Sequence, residues 1–173
     1  MREDLRISYA EIAALAEVQR PVPTNWARRH PGTFPRPVMT EDGRPLFDGR
    51  EVVTWLLATG LGNATPRKLR AELALHTLAS WRDRLPAHDL VGALTTLICL
   101  RQQQDAPLSG TDWESLLRRA ARLDADDTFL LTELRETPQS IGTALATLAD
   151  ELVEAAYTPA EAFDWVLDAR RRL

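Results

Sequence analysis

The spacing of apolar and polar residues at the start of the chain predicts a short helix. Leu15 and Ala16 follow Ile12 by three and four positions, which places the three residues on one helical face. Ser8 precedes this run and Glu11 follows three positions later, forming a capping box that satisfies N–H groups at a helix start. We therefore expect the first helix over "YAEIAALA".

A second helix is predicted after about one turn of non-periodic sequence. Pro21 and Pro23 indicate a helix start. Proline lacks a backbone N–H group, and in the first helical turn that group would have no intrahelical partner. The helix should run from residue 22 or 23 to residue 29, where "HPG" ends it. Trp26 lies on the inner side of this helix, and Arg28 and Arg29 point away from that side.

A β-hairpin and a third helix complete the first sixty residues. Apolar pairs on both sides of Asp42 and Gly43 predict two short strands joined by a tight turn. Pro37 and Pro45 confine these strands to an edge, as expected for a two-stranded wing. Asp48 caps a helix to about residue 59, with three core-facing positions, Val52, Trp55 and Leu56. The order helix, helix, hairpin, helix predicts a winged helix-turn-helix.

The remaining sequence has helical patterns and no strand signal. Six helices are predicted, over residues 65–85, 89–104, 111–123, 124–136, 140–157 and 158–173. Asp89 and Thr111 are the predicted N-terminal residues of two of them. The fold prediction is therefore mainly α: a winged helix-turn-helix with a short hairpin wing in residues 1–62, followed by an all-α helical bundle in residues 63–173.

Composition and charge limit the cellular location and the kinds of binding partner that we expect. The 173-residue chain has a net charge of −4 and one cysteine, Cys99, which excludes a disulfide framework and favours the cytoplasm. No apolar run is long enough to cross a bilayer, so no membrane partner is expected. Residues 20–44 carry five arginines against two acidic residues, a basic segment in an acidic chain. Such asymmetry indicates contact with a polyanion.

The basic segment supplies candidate DNA contacts. Five arginines in the second helix, its flanks and the hairpin are candidates for phosphate binding: Arg20, Arg28, Arg29, Arg36 and Arg44. Thr24 and Asn25 are candidates for base contacts, since asparagine can bind adenine through two hydrogen bonds. Five phosphate contacts would give log affinity a slope of roughly −4 to −5 against log salt. The alternative interpretation of the same residues is a solvated arginine surface.

Two segments, "SYAEIAALAEVQRPVPTNWARRHPGTFPRPV" and "PLFDGREVVTWLLATG", carry a family resemblance. They resemble the N-terminal winged helix-turn-helix of actinobacterial N-6 adenine-specific DNA methyltransferases, which are related to type I restriction-modification methylation subunits. The matching positions are Glu11, Ile12, Ala13, Leu15, Ala16, Val18, Asn25, Trp26, Arg28, Arg29, His30, Phe34, Pro35, Pro37, Leu46, Phe47, Glu51, Val52, Trp55 and Leu56. The later residues are similar in helical character to the region that precedes the catalytic domain.

The resemblance implies double-stranded DNA as a partner, together with methyltransferase catalytic or specificity domains or subunits. Glu17 stands where the family commonly has a turn glycine, and Pro23 where a serine or small residue is usual. The sequence has no N-P-P-[YF] motif for a flipped adenine and no glycine-rich turn after a strand for S-adenosylmethionine. We therefore expect no catalytic or cofactor-binding residues here, and S-adenosylmethionine only if a catalytic domain follows. Three scattered histidines and one cysteine predict no metal site.

Two other functions fit the same sequence. A stand-alone winged-helix transcription regulator of the excisionase-like type would use the helical bundle for dimerisation or effector binding. A degenerate helix-turn-helix would instead hold a protein interface. A stable dimer on a palindromic site favours the regulator, whereas partner binding that survives the loss of Arg28 and Arg29 favours the protein interface.

Overall fold

The computed structural model describes residues 6–104, 106–123 and 128–172. This part of the chain is mainly helical, with nine helices and one small antiparallel sheet of three strands. The predicted mainly α class is therefore confirmed. The chain forms two compact units, divided between His76 and Thr77, whereas the sequence pattern placed the division after residue 62. None of the described helices is both long and apolar enough to span a membrane.

The first unit contains three short strands and four helices, the last of which extends past its boundary. In chain order its elements are β1 (Arg6–Ser8), α1 (Tyr9–Leu15), α2 (Val22–Arg29), β2 (Met39–Glu41), β3 (Arg44–Asp48), α3 (Gly49–Thr59) and the first part of α4 (Pro66–Ala79). The bounds of α1, α2 and α3 agree with the prediction to within one residue. Their N-termini carry strong local signals, which do not depend on distant parts of the chain.

Side-chain caps fix the starts of α1 and α3. The Glu11 carboxylate accepts a hydrogen bond from the Ser8 backbone N–H at 2.7 Å, and the Glu11 N–H donates to Ser8 Oγ at 3.4 Å. This confirms the predicted capping box. Asp48 Oδ1 accepts from the N–H groups of Arg50 (2.8 Å) and Glu51 (3.1 Å), as expected for the cap of α3.

The predicted hairpin is present as β2 and β3. The sequence pattern did not predict the third strand, β1, so the expected edge position is wrong for β3. β3 lies in the centre, with β1 and β2 antiparallel on its two sides. Pro45 therefore sits on a central strand. The Leu46 carbonyl accepts from the Val38 N–H at 2.8 Å, which turns the Leu46 backbone toward β2 and the Pro45 nitrogen to the opposite side. There β1 pairs only with residues 46–48, so no ladder hydrogen bond is lost at Pro45.

Helix α5 lies at the centre of the second unit. The helices of this unit are α5 (Ala87–Gln102), α6 (Trp113–Leu123), α7 (Thr128–Glu136), α8 (Gln139–Ala155) and α9 (Pro159–Arg172). α5 packs against each of the other four. Its predicted core stripe is fully buried: Leu90, Leu94, Leu97 and Ile98. Because neighbours surround α5, it is apolar around most of its circumference rather than on one face.

Three predicted helix bounds in this region are wrong. α4 ends at Ala79 instead of residue 85, because the next N–H groups bond three residues back in tighter turns, beginning with Ser80 to the Thr77 carbonyl at 3.2 Å. α5 begins two residues before Asp89, directly after Pro86. Asp112, not Thr111, caps α6, since Asp112 Oδ1 accepts from the Ser115 N–H at 2.9 Å. The predicted start of α7 at residue 124 lies outside the described residues.

A buried carboxylate joins α8 to the connection between α5 and α6. Asp150 accepts hydrogen bonds from the N–H groups of Leu108 (2.9 Å) and Ser109 (2.7 Å). Its Oδ1 also lies 3.0 Å from Nε of Arg101 on α5. The neighbouring Glu151 is exposed, so the two adjacent carboxylates diverge, as expected for consecutive residues in a helix. This arrangement ties a loop to two helices.

Candidate nucleic-acid interface

Aromatic packing fixes the inner face of α2. Trp26 is buried, and its ring centroid lies 5.8 Å from that of Trp55 on α3. His30, at the end of α2, is 5.9 Å from the same indole, and Phe34 is 5.0 Å from it. Phe34 in turn meets Phe47 of β3 edge-on at 5.6 Å. These rings connect α2, α3 and the sheet, so α2 has one orientation in the first unit.

The two prolines act as predicted at the start of α2. Pro21 occupies the cap position and Pro23 lies in the first turn with its side chain buried. The Asn25 N–H donates to the Pro21 carbonyl at 3.2 Å, which is the first bond of the helix ladder. Because proline fixes its own φ, the helix begins at a defined residue and its outward face is set from there.

The outward face of α2 collects four of the seven predicted contact residues. Thr24, Arg28 and Arg29 are exposed and Asn25 is half-buried. Spacings of three and four residues place them side by side, opposite Trp26 or flanking it. The Arg28 guanidinium donates to Asn25 Oδ1 at 3.2 Å. That bond holds the Asn25 amide and leaves its NH₂ group and one oxygen lone pair for an external partner.

The other three predicted contacts lie outside α2. Arg20 precedes the helix, Arg36 follows it and Arg44 begins β3; all three are exposed. Within the described residues, no hydrogen bond or ion pair joins them to the α2 face. Arg44 pairs in register with Glu41, and Asp42 forms the turn between them. The hairpin tip therefore carries two acidic residues and one basic residue.

Four of these arginines have no ion-pair partner among the residues that the structure describes: Arg20, Arg29, Arg36 and Arg44. Arg28 is held by a neutral amide rather than by a carboxylate. The positive charge of the segment is thus available to an external anion. No ion pair with a described residue of the first unit neutralises it.

The turn between α1 and α2 is held by a segment that sequence reasoning did not identify. Glu17 adopts a left-handed conformation, with a φ of 56°. The Ala16 carbonyl accepts from the N–H groups of Asn63 (2.9 Å) and Ala64 (3.2 Å). Asn63 Nδ2 also donates to the Glu17 carbonyl at 3.0 Å. Because residues 62–64 follow α3, they fasten the turn to the end of that helix.

The Glu17 side chain forms an ion pair with Lys68 of α4, with 2.8 Å between Oε1 and Nζ. This pair compensates the negative charge of the Glu17 carboxylate at the turn. Lys68 is 51 residues away along the chain, so no local pattern could have indicated the contact. Its only signal in the sequence is that it is the sole lysine.

Comparison with known proteins finds no match for this chain among protein-family models, curated proteins or solved structures. Among the described residues, no group of three or more His, Cys, Asp or Glu side chains is arranged to hold a metal ion. The geometry and charge of the first unit are therefore the features that bear on function.

Proposed function

We propose that the first unit is a winged helix-turn-helix that binds double-stranded DNA. In this proposal α1 and α2 are the two helices of the motif, α2 enters the major groove, and the β2–β3 hairpin is the wing. The observation that carries it is the outward face of α2, where Thr24, Asn25, Arg28 and Arg29 lie together while Trp26 anchors the opposite side.

The four side chains suit a groove. Arg28 and Arg29 are long enough to reach phosphates or guanine edges, and Thr24 offers a hydroxyl to either. Asn25 matches adenine, since one lone pair of Oδ1 and the NH₂ group remain free for the N6 amino group and N7. Arg20 and Arg36 extend the positive charge on both sides of the helix in sequence. Arg44 contributes less to binding, because Glu41 and Asp42 adjoin it.

The α1–α2 turn also supports the proposal. Glu17 takes the left-handed conformation for which glycine is favoured at a helix C-terminus, and the family that the sequence resembles commonly has glycine there. The substitution thus preserves the backbone conformation of the turn. The ion pair with Lys68 limits the repulsion that a free carboxylate would exert on a nearby phosphate.

Within this function, the resemblance supports an N-6 adenine DNA methyltransferase system as the one in which the chain acts. The second unit would then contact catalytic or specificity domains, and S-adenosylmethionine would bind to the catalytic domain. DNA as the partner is consistent with a cytoplasmic location. A stand-alone regulator is the second candidate, favoured by the separate core of the second unit, which suits a dimerisation or effector domain.

Fluorescence anisotropy of a labelled duplex at several salt concentrations tests DNA binding. We expect affinity to fall with salt, and Arg28→Gln with Arg29→Gln to weaken binding and lower the log–log slope by about two. The matched control is Arg84→Gln with Arg135→Gln, the same change of charge at two exposed positions of the second unit. The log–log salt slope of this control should stay closer to that of the unmodified protein than the slope of the α2 variant does.

No binding at low salt, or equal slopes for the α2 variant and the unmodified protein, would exclude the proposal. The mass of the protein in solution distinguishes the regulator from the methyltransferase assignment. A dimer that binds a palindrome supports the regulator, whereas a monomer that needs a methyltransferase partner supports the methyltransferase assignment. Partner binding without DNA binding indicates the protein-interface alternative.

A further inference from the structure

Helix α6 carries a small cleft on its polar side. Four residues line it, Ser115, Arg118, Arg119 and Arg122, and its volume is about 150 Å³. Since one water occupies about 30 Å³ of liquid, the cleft has room for a group the size of phosphate with a few waters. Three of its four lining side chains are guanidinium groups.

We propose that this cleft binds a phosphate group. Within the described part of the chain, none of the three arginines forms an ion pair. Arg118 and Arg122 are four residues apart on one helix, a spacing at which like charges repel. An anion between them replaces that repulsion with attraction. The proposal concerns the second unit and does not depend on DNA binding by α2.

Neutral acceptors hold two of the guanidinium groups in place. Arg118 Nη2 donates to Ser115 Oγ at 3.1 Å, and its Nε donates to the Glu114 carbonyl at 3.4 Å. Arg119 Nη1 donates to Gln104 Oε1 at 3.1 Å. These bonds orient the side chains without neutralising them. Each guanidinium has five N–H donors, so donors remain for phosphate oxygens.

Asp112, an acidic residue near the cleft, caps the start of α6. Asp112 accepts the Ser115 N–H at the start of α6. Hydrogen bonds from Ser115 lower the pKa of the Asp112 carboxyl, and the positive charge of Arg118 lowers it further. Asp112 is therefore a charged helix cap, and no ion pair within 4.0 Å joins it to Arg118 in the described structure. It reduces the local positive charge only in part.

The apolar side of α6 fixes the direction in which the arginines point. Trp113, Leu116 and Ala120 are buried. The Trp113 indole lies so close to Gly142 of α8 that a Cβ there would clash with the ring. α6 cannot rotate without breaking this contact. Guanidinium groups on a helix held in this way form a preorganised site, which suits the planar, two-pronged recognition of phosphate.

Titration of the full chain with sodium phosphate tests the site, with chloride adjusted to keep the ionic strength constant. We expect saturable changes in the amide NMR signals of residues 115–122. Arg118→Gln with Arg122→Gln should bind phosphate roughly tenfold more weakly. Arg84→Gln with Arg135→Gln, which changes the charge equally at exposed positions outside the cleft, should bind as the unmodified protein does.

Equal phosphate binding by the cleft variant and the unmodified protein, or changes that do not saturate, would overturn the proposal. A second variant, Ser115→Ala, keeps all three charges and removes the hydroxyl that orients Arg118; it should weaken binding by a smaller factor. Both variants change polar side chains on the cleft side of α6, and an unchanged melting temperature verifies that they fold.

A duplex titration then identifies the source of the phosphate. A lower salt slope for DNA binding by the cleft variant identifies a nucleic-acid phosphodiester as the ligand. An unchanged slope with lost phosphate binding identifies a small phosphate compound. Arg28→Gln with Arg29→Gln should leave phosphate binding at α6 intact, so failure of this site and failure of the DNA-binding proposal give different results.

Discussion

Gly62 combines a positive φ of 98° with close approach to the turn between α1 and α2. A Cβ at this position would lie 2.9 Å from the Ala16 carbonyl oxygen. Gly60 also has a positive φ, 63°, but open space surrounds its absent side chain. Gly62 therefore combines a clash with a φ outside the left-handed region open to alanine, whereas Gly60 lies within that region and has no clash.

We expect Gly62→Ala to lower the free energy of unfolding by about 2 kcal/mol, because it adds a clash with backbone to the strain. Gly60→Ala should cost about 1 kcal/mol, from strain alone. Urea denaturation followed by tryptophan fluorescence measures both. Equal losses would show that the turn moves aside and is not fastened by residues 62–64.

Glu133 provides a pH-dependent test. Burial raises the pKa of its carboxyl above the ordinary 4.5, and the nearby Asp89 carboxylate raises it further, while His88 and Arg170 act in the opposite direction. A Cβ at Gly92 would overlap Glu133 Oε2, so the carboxylate rests directly on α5. No hydrogen bond to that oxygen is present among the described residues.

A raised pKa means that the folded state binds this proton more tightly than the unfolded state does. The resulting stabilisation is complete below about pH 4.5 and is lost as the pH rises through the folded-state value. At neutral pH the charged carboxylate therefore destabilises the fold. Glu133→Gln should increase stability at pH 7 and have a smaller effect at pH 4, as measured by urea denaturation. A gain that is equal at both pH values would contradict this account.

Among the helices and loops, the link from Asp150 to residues 108 and 109 shows how one side chain organises a connection. Asp150→Ala would leave two N–H groups without their acceptor and the Arg101 guanidinium without its closest carboxylate. We expect a loss of about 3 kcal/mol in the free energy of unfolding.

Glu154→Ala is the matched control for this loss, since Glu154 lies on the same helix, 3.7 Å from Arg101, with 62% of its side chain exposed. Its loss should be below about 1 kcal/mol. Similar losses for the two variants in chemical denaturation would mean that burial of Asp150 contributes little.

The elements that the sequence predicted well are those with local signals. Ser8, Pro21 and Asp48 start helices through bonds or restrictions within a few residues, and Asp42 with Gly43 forms its turn in the same way. The outward face of α2 follows from helical spacing alone. These features needed no knowledge of the rest of the fold.

The features that the sequence did not predict depend on distant partners. β1 is three residues long and becomes a strand only by pairing with β3, about forty positions later. The contact between Glu17 and Lys68 spans 51 residues. The α6 cleft was missed for a different reason: arginines on the polar side of a helix have the same spacing whether or not a ligand binds them.

Charge is distributed unevenly between the two units of the protein. Residues 1–76 carry 11 basic and nine acidic side chains, whereas residues 77–173 carry ten basic and 16 acidic ones. A polyanion is therefore attracted to the first unit and repelled by most of the second. Against that acidic background, the three arginines of α6 form no ion pair with any residue that the structure describes, and they are the exception that a phosphate would explain.

The ion pair between Glu17 and Lys68 has a practical consequence. Since Lys68 is the only lysine and 39% of its side chain is exposed, an amine-reactive dye has one side-chain amine to modify, in addition to the α-amine of the chain. The dye would sit beside the bend that leads into α2. Binding at that helix would then change its emission, with no engineered cysteine and with Cys99 left untouched.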